Sequence, residues 1–336
     1  MPSVVGPGFD ILGLGMSILD SIQVVEAFPA AAGVTRVIRS AVMGGGPVPT
    51  ALCAASRLGA KTAIIDRIGD DWCGERLRAD YTKFGVDTTF LLTEENRSSS
   101  LGTVLVRERD GERHLLFEEG NFMPLSAAEL PASALAGCRI LHLNGRHWPA
   151  CLDAARIVRE SGGRVSFDGG AHRFETKHLN LLPLVDILIV ARDYAACLAG
   201  SDSREHQLDA LAQWGAEIVG ITDGAAGSWF LTGGGDSFHQ TAFSVDKLVD
   251  TTGCGDVFHG AFLAAAMLGH SLSDMARTAS AAAALSATGL GGRGHLPTAE
   301  EVKRLIATAG GEIYSHSSRG AAGGSRVGFP LGTGRR

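Results

Sequence analysis

No apolar run in this sequence approaches the ~20 residues that a helix needs to cross a bilayer. Even the stretch 181–190 is broken by Pro183 and Asp186. Cysteine is scarce, with six in 336 residues, and no two stand as C-x-x-C. A disulfide scaffold is thereby excluded, and reduced thiols of a cytosolic protein are the simpler reading. There is no basic excess either. Lys and Arg number 30 against 36 Asp and Glu, a formal net charge of -6, which argues against a general nucleic-acid binder. No basic residue precedes Arg36, so the charged start of a signal peptide is missing. His142 and His147 have no third ligand at a recognisable spacing, which disfavours a metalloenzyme. The expectation is a soluble, cytoplasmic protein with neither membrane nor nucleic acid as partner.

What the chain does have is glycine, 45 residues of it, with 45% hydrophobic and 20% charged residues, a balance that fits a folded globular protein. Short apolar runs at 10–14, 62–65, 139–143, 164–167, 187–190 and 217–221 read as strands. Helical patterns at 49–58, 74–84, 149–161, 193–198, 205–214, 256–268 and 272–288 alternate with them. Alternation of this kind predicts an α/β fold with a mainly parallel sheet covered on both faces. Two regions, about 21–43 and 97–119, read as β-rich with no helix between. The second holds Asp110-Gly111, a strong hairpin signal. They suit a small β lid over a cleft, or an edge extension of the main sheet. The segment 314–336 is rich in Gly, Ser and Arg without periodicity and reads as a flexible tail.

The most informative stretch is Asp250-Thr251-Thr252-Gly253-Cys254-Gly255-Asp256, followed by a helical pattern to about residue 268. Small residues before a helix present unpaired amides and the positive end of the helix dipole, an anion site. An acid just after such a turn could accept a proton from an attacking hydroxyl while the amides of Gly253, Cys254 and Gly255 hold phosphoryl charge. It could also merely cap the helix. D-T-T-G-C-G-D-x-F-x-G-A-F resembles the C-terminal signature of the PfkB, or ribokinase-like, carbohydrate kinases. The resemblance implies a three-layer α/β/α kinase domain over 10–313, with Asp256 as catalytic base and ATP and Mg²⁺ as its requirements.

Further positions follow from that resemblance. Gly44-Gly45-Gly46-Pro47 and the helix after it look like the N-terminal signature, in which Gly45 and Gly46 contact the sugar. Asp20, after the first strand, matches a sugar-binding carboxylate. Thr222-Asp223-Gly224-Ala225-Ala226-Gly227 resembles T-x-G-x-x-G, which makes Thr222, Gly224 and Gly227 nucleotide candidates. The N-x-x-E pattern linked to magnesium is absent; Ala191-Arg192-Asp193-Tyr194 stands there, with Asp193 as a substitute. A monovalent cation such as K⁺ would take Asp250, Thr252 and backbone oxygens of Ser286, Gly289 and Gly291. G-G-G-P, Gly291-Gly292-Arg293-Gly294-His295-Leu296-Pro297 and Gly145-Arg146-His147-Trp148 are similar to the sulfofructose-kinase branch, where Arg146 would meet an anionic group. The implied reaction moves the γ-phosphoryl of ATP to a primary hydroxyl of a ketose or sulfofructose-like sugar. Ribose, a nucleoside, or a non-catalytic sugar- or nucleotide-binding relative are the alternatives. A homodimer formed through the lid is implied as well.

Overall fold

The computed structural model describes residues 8–232, 235–309 and 313–316. In chain order β1 (Ile11–Leu14), β2 (Ile18–Val25) and β3 (Val37–Gly45) precede α1 (Pro47–Arg57), β4 (Thr62–Gly69) and α2 (Trp72–Phe84). Three strands follow, β5 (Asp87–Glu94), β6 (Ser100–Arg107) and β7 (Arg113–Glu118), then α3 (Ala132–Gly137). The pairs β8 (Ile140–Leu143) with α4 (Ala150–Glu160), β9 (Arg164–Gly169), and β10 (Ile187–Ala191) with α5 (Arg192–Ala199) and α6 (Arg204–Ala212) come next. After β11 (Ile218–Thr222), β12 (Ser228–Leu231) and β13 (Ser237–Gln240), the chain forms α7 (Cys254–Met267), α8 (Leu272–Ser286), α9 (Ala299–Ala309) and β14 (Ile313–His316).

Ten strands make one sheet in the order β14-β13-β12-β11-β10-β9-β8-β1-β4-β5. From β5 to β11 the neighbours are parallel; β12, β13 and β14 extend the edge antiparallel. Parallel strands buried on both faces read as continuous apolar runs, which is why β1, β8 and β10 were legible. Alternate side chains feed two cores. Ile11 packs with α1, α2, α7, α8 and α9 on one face, and Leu12 and Leu14 with α3, α4, α5 and α6 on the other. The three-layer α/β/α expectation holds. Strand β14 carries the ordered fold three residues past 313; the rest of the segment read as a tail, from residue 317, lies outside the described residues.

The lid is a separate sheet, β3-β2-β6-β7. Its hairpin turns at Gly111, whose φ of 69° is the left-handed conformation glycine tolerates best. Ile22, Val24, Val104 and Val106 form a small core of their own, with Met43 and Leu290 against it. Among the described residues no helix is long and apolar enough to cross a membrane.

Candidate active site

The site forms at the carboxyl ends of the parallel strands, where an open α/β sheet presents its loops. Helices α1 and α7 set its two glycine turns side by side. They cross so closely that a Cβ on Gly260 would collide with the Ala51 carbonyl.

Gly253 caps α7 with φ 76°, and a Cβ there would lie 2.6 Å from Gly292 Cα. Only glycine suits both demands. The Cys254 N–H is used within the turn, donating to Thr251 O at 3.3 Å. The Gly253, Gly255 and Asp256 amides have no acceptor among the described residues, and the space over Gly255 is open. The amides left open to an anion are therefore those of Gly253, Gly255 and Asp256, whereas that of Cys254 is spent on the turn. Burial raises the Cys254 thiol pKa first of all, so this cysteine is no activated nucleophile.

Asp256 stands in the first turn of α7, yet it does not cap the helix. Its carboxylate has no hydrogen-bond partner among the described residues. Contrast Asp71, which caps α2 by accepting from the Gly74 N–H at 2.9 Å. The capping alternative for Asp256 thus fails on geometry. Burial and then the neighbouring Asp168 push its pKa up, while Arg173, His259 and Arg113 pull it back. A raised carboxylate is a better proton acceptor near neutral pH.

Asp20 lies in β2, the strand that follows β1, and it is buried. Cβ atoms on Gly45 or Gly102 would collide with its two carboxylate oxygens. These glycines make room for the carboxylate. Desolvation lifts its pKa to about 7, with Arg293 opposing and Asp256 and Asp250 adding to the rise. The charge of Asp256 is felt at Asp20, so the two carboxylates stand near one another. Gly46, at φ 89°, would drive a Cβ into the Met16 carbonyl; its task is the turn into α1.

Two residues that sequence reading left without a role hold this arrangement. Buried Arg293 donates to Asp80 at 2.5 Å, to Gly45 O at 3.0 Å and to Thr50 Oγ1 at 3.3 Å. Arg113 of β7 donates to Thr252 Oγ1 at 3.1 Å, so the lid reaches the anion turn. The sequence signal for Arg293 was only its place within the 291–297 stretch, and for Arg113 only its place beside the Asp110-Gly111 turn.

Asp250 joins that turn to the 289–295 loop. Its Oδ1 accepts from Thr252 N at 2.9 Å and Thr252 Oγ1 at 2.7 Å, and its Oδ2 from Gly291 N at 2.8 Å. The Ser286 carbonyl accepts from Gly289 N and the Gly291 carbonyl from Gly294 N. The cation candidates therefore lie together, already engaged in turn bonds. Among the described residues no cluster of three or more His, Cys, Asp or Glu suits a metal. Thr222 ends β11, and Gly224 (φ 51°) and Gly227 (φ 96°) close the loop after it. Arg204 at 2.8 Å and Arg192 at 3.5 Å hold Asp223 there. In place of N-x-x-E, Tyr194 is wholly buried and the Asp193 carboxylate is taken by His172, through its backbone N–H and, at 3.1 Å, its Nδ1. Arg146 is exposed, and its charge acts on Glu175 and His178. No contact among the described residues joins it to Asp20 or Asp256.

Known proteins share this fold. A family model, pfkB family carbohydrate kinase, matches residues 10–299. Ribokinase of Haemophilus influenzae is 29% identical over 271 residues, 78% of this chain and 87% of that protein. Fructokinase-1 of Zea mays is 28% identical, covering 85% and 96%. The structure of Arabidopsis thaliana ribokinase complexed with ribose and ATP superposes with a TM-score of 0.77 at 22% identity, covering 90% of this chain and all of that one.

Proposed function

The chain belongs to the pfkB family of carbohydrate kinases, ATP-dependent phosphotransferases, and from that premise we propose that it phosphorylates a primary hydroxyl of a ketose or sulfofructose-like sugar, with Asp256 as the base. The observation that carries the proposal is the unpaired Asp256 carboxylate beside the free amides of Gly253 and Gly255. A group that neither caps nor pairs, in a site built for an anion, is placed to take a proton next to a phosphoryl group.

In this reading Asp20 accepts bonds from two sugar hydroxyls, and Gly45 and Gly102 keep its oxygens accessible. The bound sugar then supplies the donors that Asp20 lacks. The hydroxyl oxygen gives its proton to Asp256 and attacks the γ-phosphorus in line, while the amides stabilise equatorial charge. Thr222, Gly224 and Gly227 border the nucleotide. Magnesium would come with the triphosphate and neutralise its charge, keeping mostly phosphate and water oxygens around it. A monovalent cation beside Asp250 and Thr252 completes the proposal, supported by the Gly291 N–H bond to Asp250, which holds the 289–291 loop against that turn. The outward lid face, with Val42 and Leu116 exposed on it, supports pairing with a second copy.

The test is ATP consumption over a panel of ketoses, sulfosugars, ribose and nucleosides, with wild type and Asp256→Asn in parallel. We expect turnover on one class and a loss of about 10²- to 10⁴-fold in the variant, with nucleotide binding kept. Wild-type turnover in Asp256→Asn refutes the assignment. Ribose or a nucleoside as the sole acceptor replaces the ketose reading.

A further inference from the structure

Behind Asp256 lies a buried polar column drawn from three elements. Asp168 stands near the end of β9 and His259 on α7, three residues after Asp256 and so on the same helix face. The His259 Nε2 lies 3.2 Å from Asp168 Oδ1, and both side chains are 4% exposed. A carboxylate only accepts, so Nε2 carries the proton. The His142 ring on β8 lies 5.5 Å from that of His259, and its Nδ1 is 3.2 Å from Ser166 Oγ. The far nitrogens, His142 Nε2 and His259 Nδ1, have no partner among the described residues.

Burying a carboxylate against an imidazole is costly, and an apolar pair of equal volume commonly serves stability as well. Its position suggests another use. We propose that the Asp168–His259 pair is a positioning pair for catalysis: it holds a second negative charge beside Asp256 and makes Asp256 a stronger base for the substrate hydroxyl. The inference rests on Asp256 being the base.

The physical sequence is short. Burial raises the pKa of Asp168, but His259 and then Arg173 hold it below the ordinary carboxylate range. Kept ionised, it opposes ionisation of Asp256 through the low-dielectric interior. The groups facing Asp256 are Asp168 of β9, Arg173 of the following loop, His259 of α7 and Arg113 of β7, with Asp20 of β2 across the cleft. Of the first four, only Asp168 raises Asp256. His142 stays neutral, since burial and then His259 push it down to about 3.

The experiment is the pH profile of kcat for wild type, Asp168→Asn, Asp168→Ser and Asp168→Glu, using the purified enzyme and the acceptor found in the panel. Both charge-removing variants should move the acid limb down by about one pH unit and lower the plateau several-fold, because a weaker base accepts the proton less readily. Asp168→Glu, which keeps the charge, should leave the limb where wild type has it. Two charge-removing variants of different size guard against one of them failing to fold. An acid limb unmoved in a folded Asn or Ser variant, whatever the loss of rate, overturns the inference and leaves the pair a packing feature. If instead Asp256→Asn retains turnover, it is the assignment of the base that fails.

Discussion

A carboxylate buried without a donor is held against its own hydration, and the cost appears as a raised pKa. Asp20 has this property, with its pKa lifted to about 7. Below the ordinary carboxylate range the group is protonated in both folded and unfolded states. Between there and about pH 7 the folded chain keeps a proton that the unfolded chain has released. Stability from this group is therefore present at low pH and lost as pH rises through the folded pKa. Asp20→Asn should melt close to wild type near pH 4 and well above it at pH 8. Every tenfold difference in proton affinity between the folded and unfolded chain is worth about 1.4 kcal/mol. The same variant should bind the sugar worse, since a carboxylate accepting from two hydroxyls is replaced. Thermal melts at the two pH values, with KM for the sugar, check both halves. An equal melting difference at both pH values would show that Asp20 carries no such strain.

At the scale of elements, the lid does more than cover. Thr252 Oγ1 gives its proton to Asp250 and accepts from Arg113. Arg107 and Arg109, at the other side of the hairpin, pair with Asp110, whereas Arg113 has no carboxylate within salt-bridge distance among the described residues. Its charge falls on Asp256 and Cys254. A guanidinium with no carboxylate partner, held at Thr252 beside the Gly253–Gly255 turn, is chemically suited to phosphoryl oxygens. Arg113→Ala should lower kcat by about 10- to 100-fold and change the sugar KM little, as steady-state kinetics will read. Equal losses in binding and turnover would assign Arg113 to substrate binding instead. Little of this was legible in sequence. The Gly253–Asp256 turn was, because a left-handed residue and a close approach demand glycine and so write the backbone into residue types. Arg113, Asp168 and His259 were not: which face of a hairpin points inward, and which strand end meets which helix, depend on register and crossover. Strands β12 and β13, four residues each, were too short to show a period. The missing N-x-x-E pattern was visible, but the loss of Asp193 to His172 was not.

Over the whole molecule, the catalytic cleft joins parts distant in sequence, and Arg293 is where they are fastened. Its guanidinium reaches α2 through Asp80, α1 through Thr50 and the end of β3 through Gly45 O, and it lies 5.4 Å from the Tyr81 ring centroid. Removing it leaves Asp80 without its cation and Gly45 O without a donor. Breaking one side of a buried pair costs about 3–5 kcal/mol, whereas replacing both partners by apolar groups costs much less. Arg293→Leu should therefore unfold at markedly lower urea, and Asp80→Leu added to it should recover part of the loss. Function should separate from stability in the double variant. The Gly45 carbonyl stays unheld, so the turn facing Asp20 loosens and the sugar KM should remain raised after stability returns. Urea midpoints for the single and double variants, read beside sugar KM, decide this. Full recovery of KM with stability would make Arg293 a fastener of the fold alone.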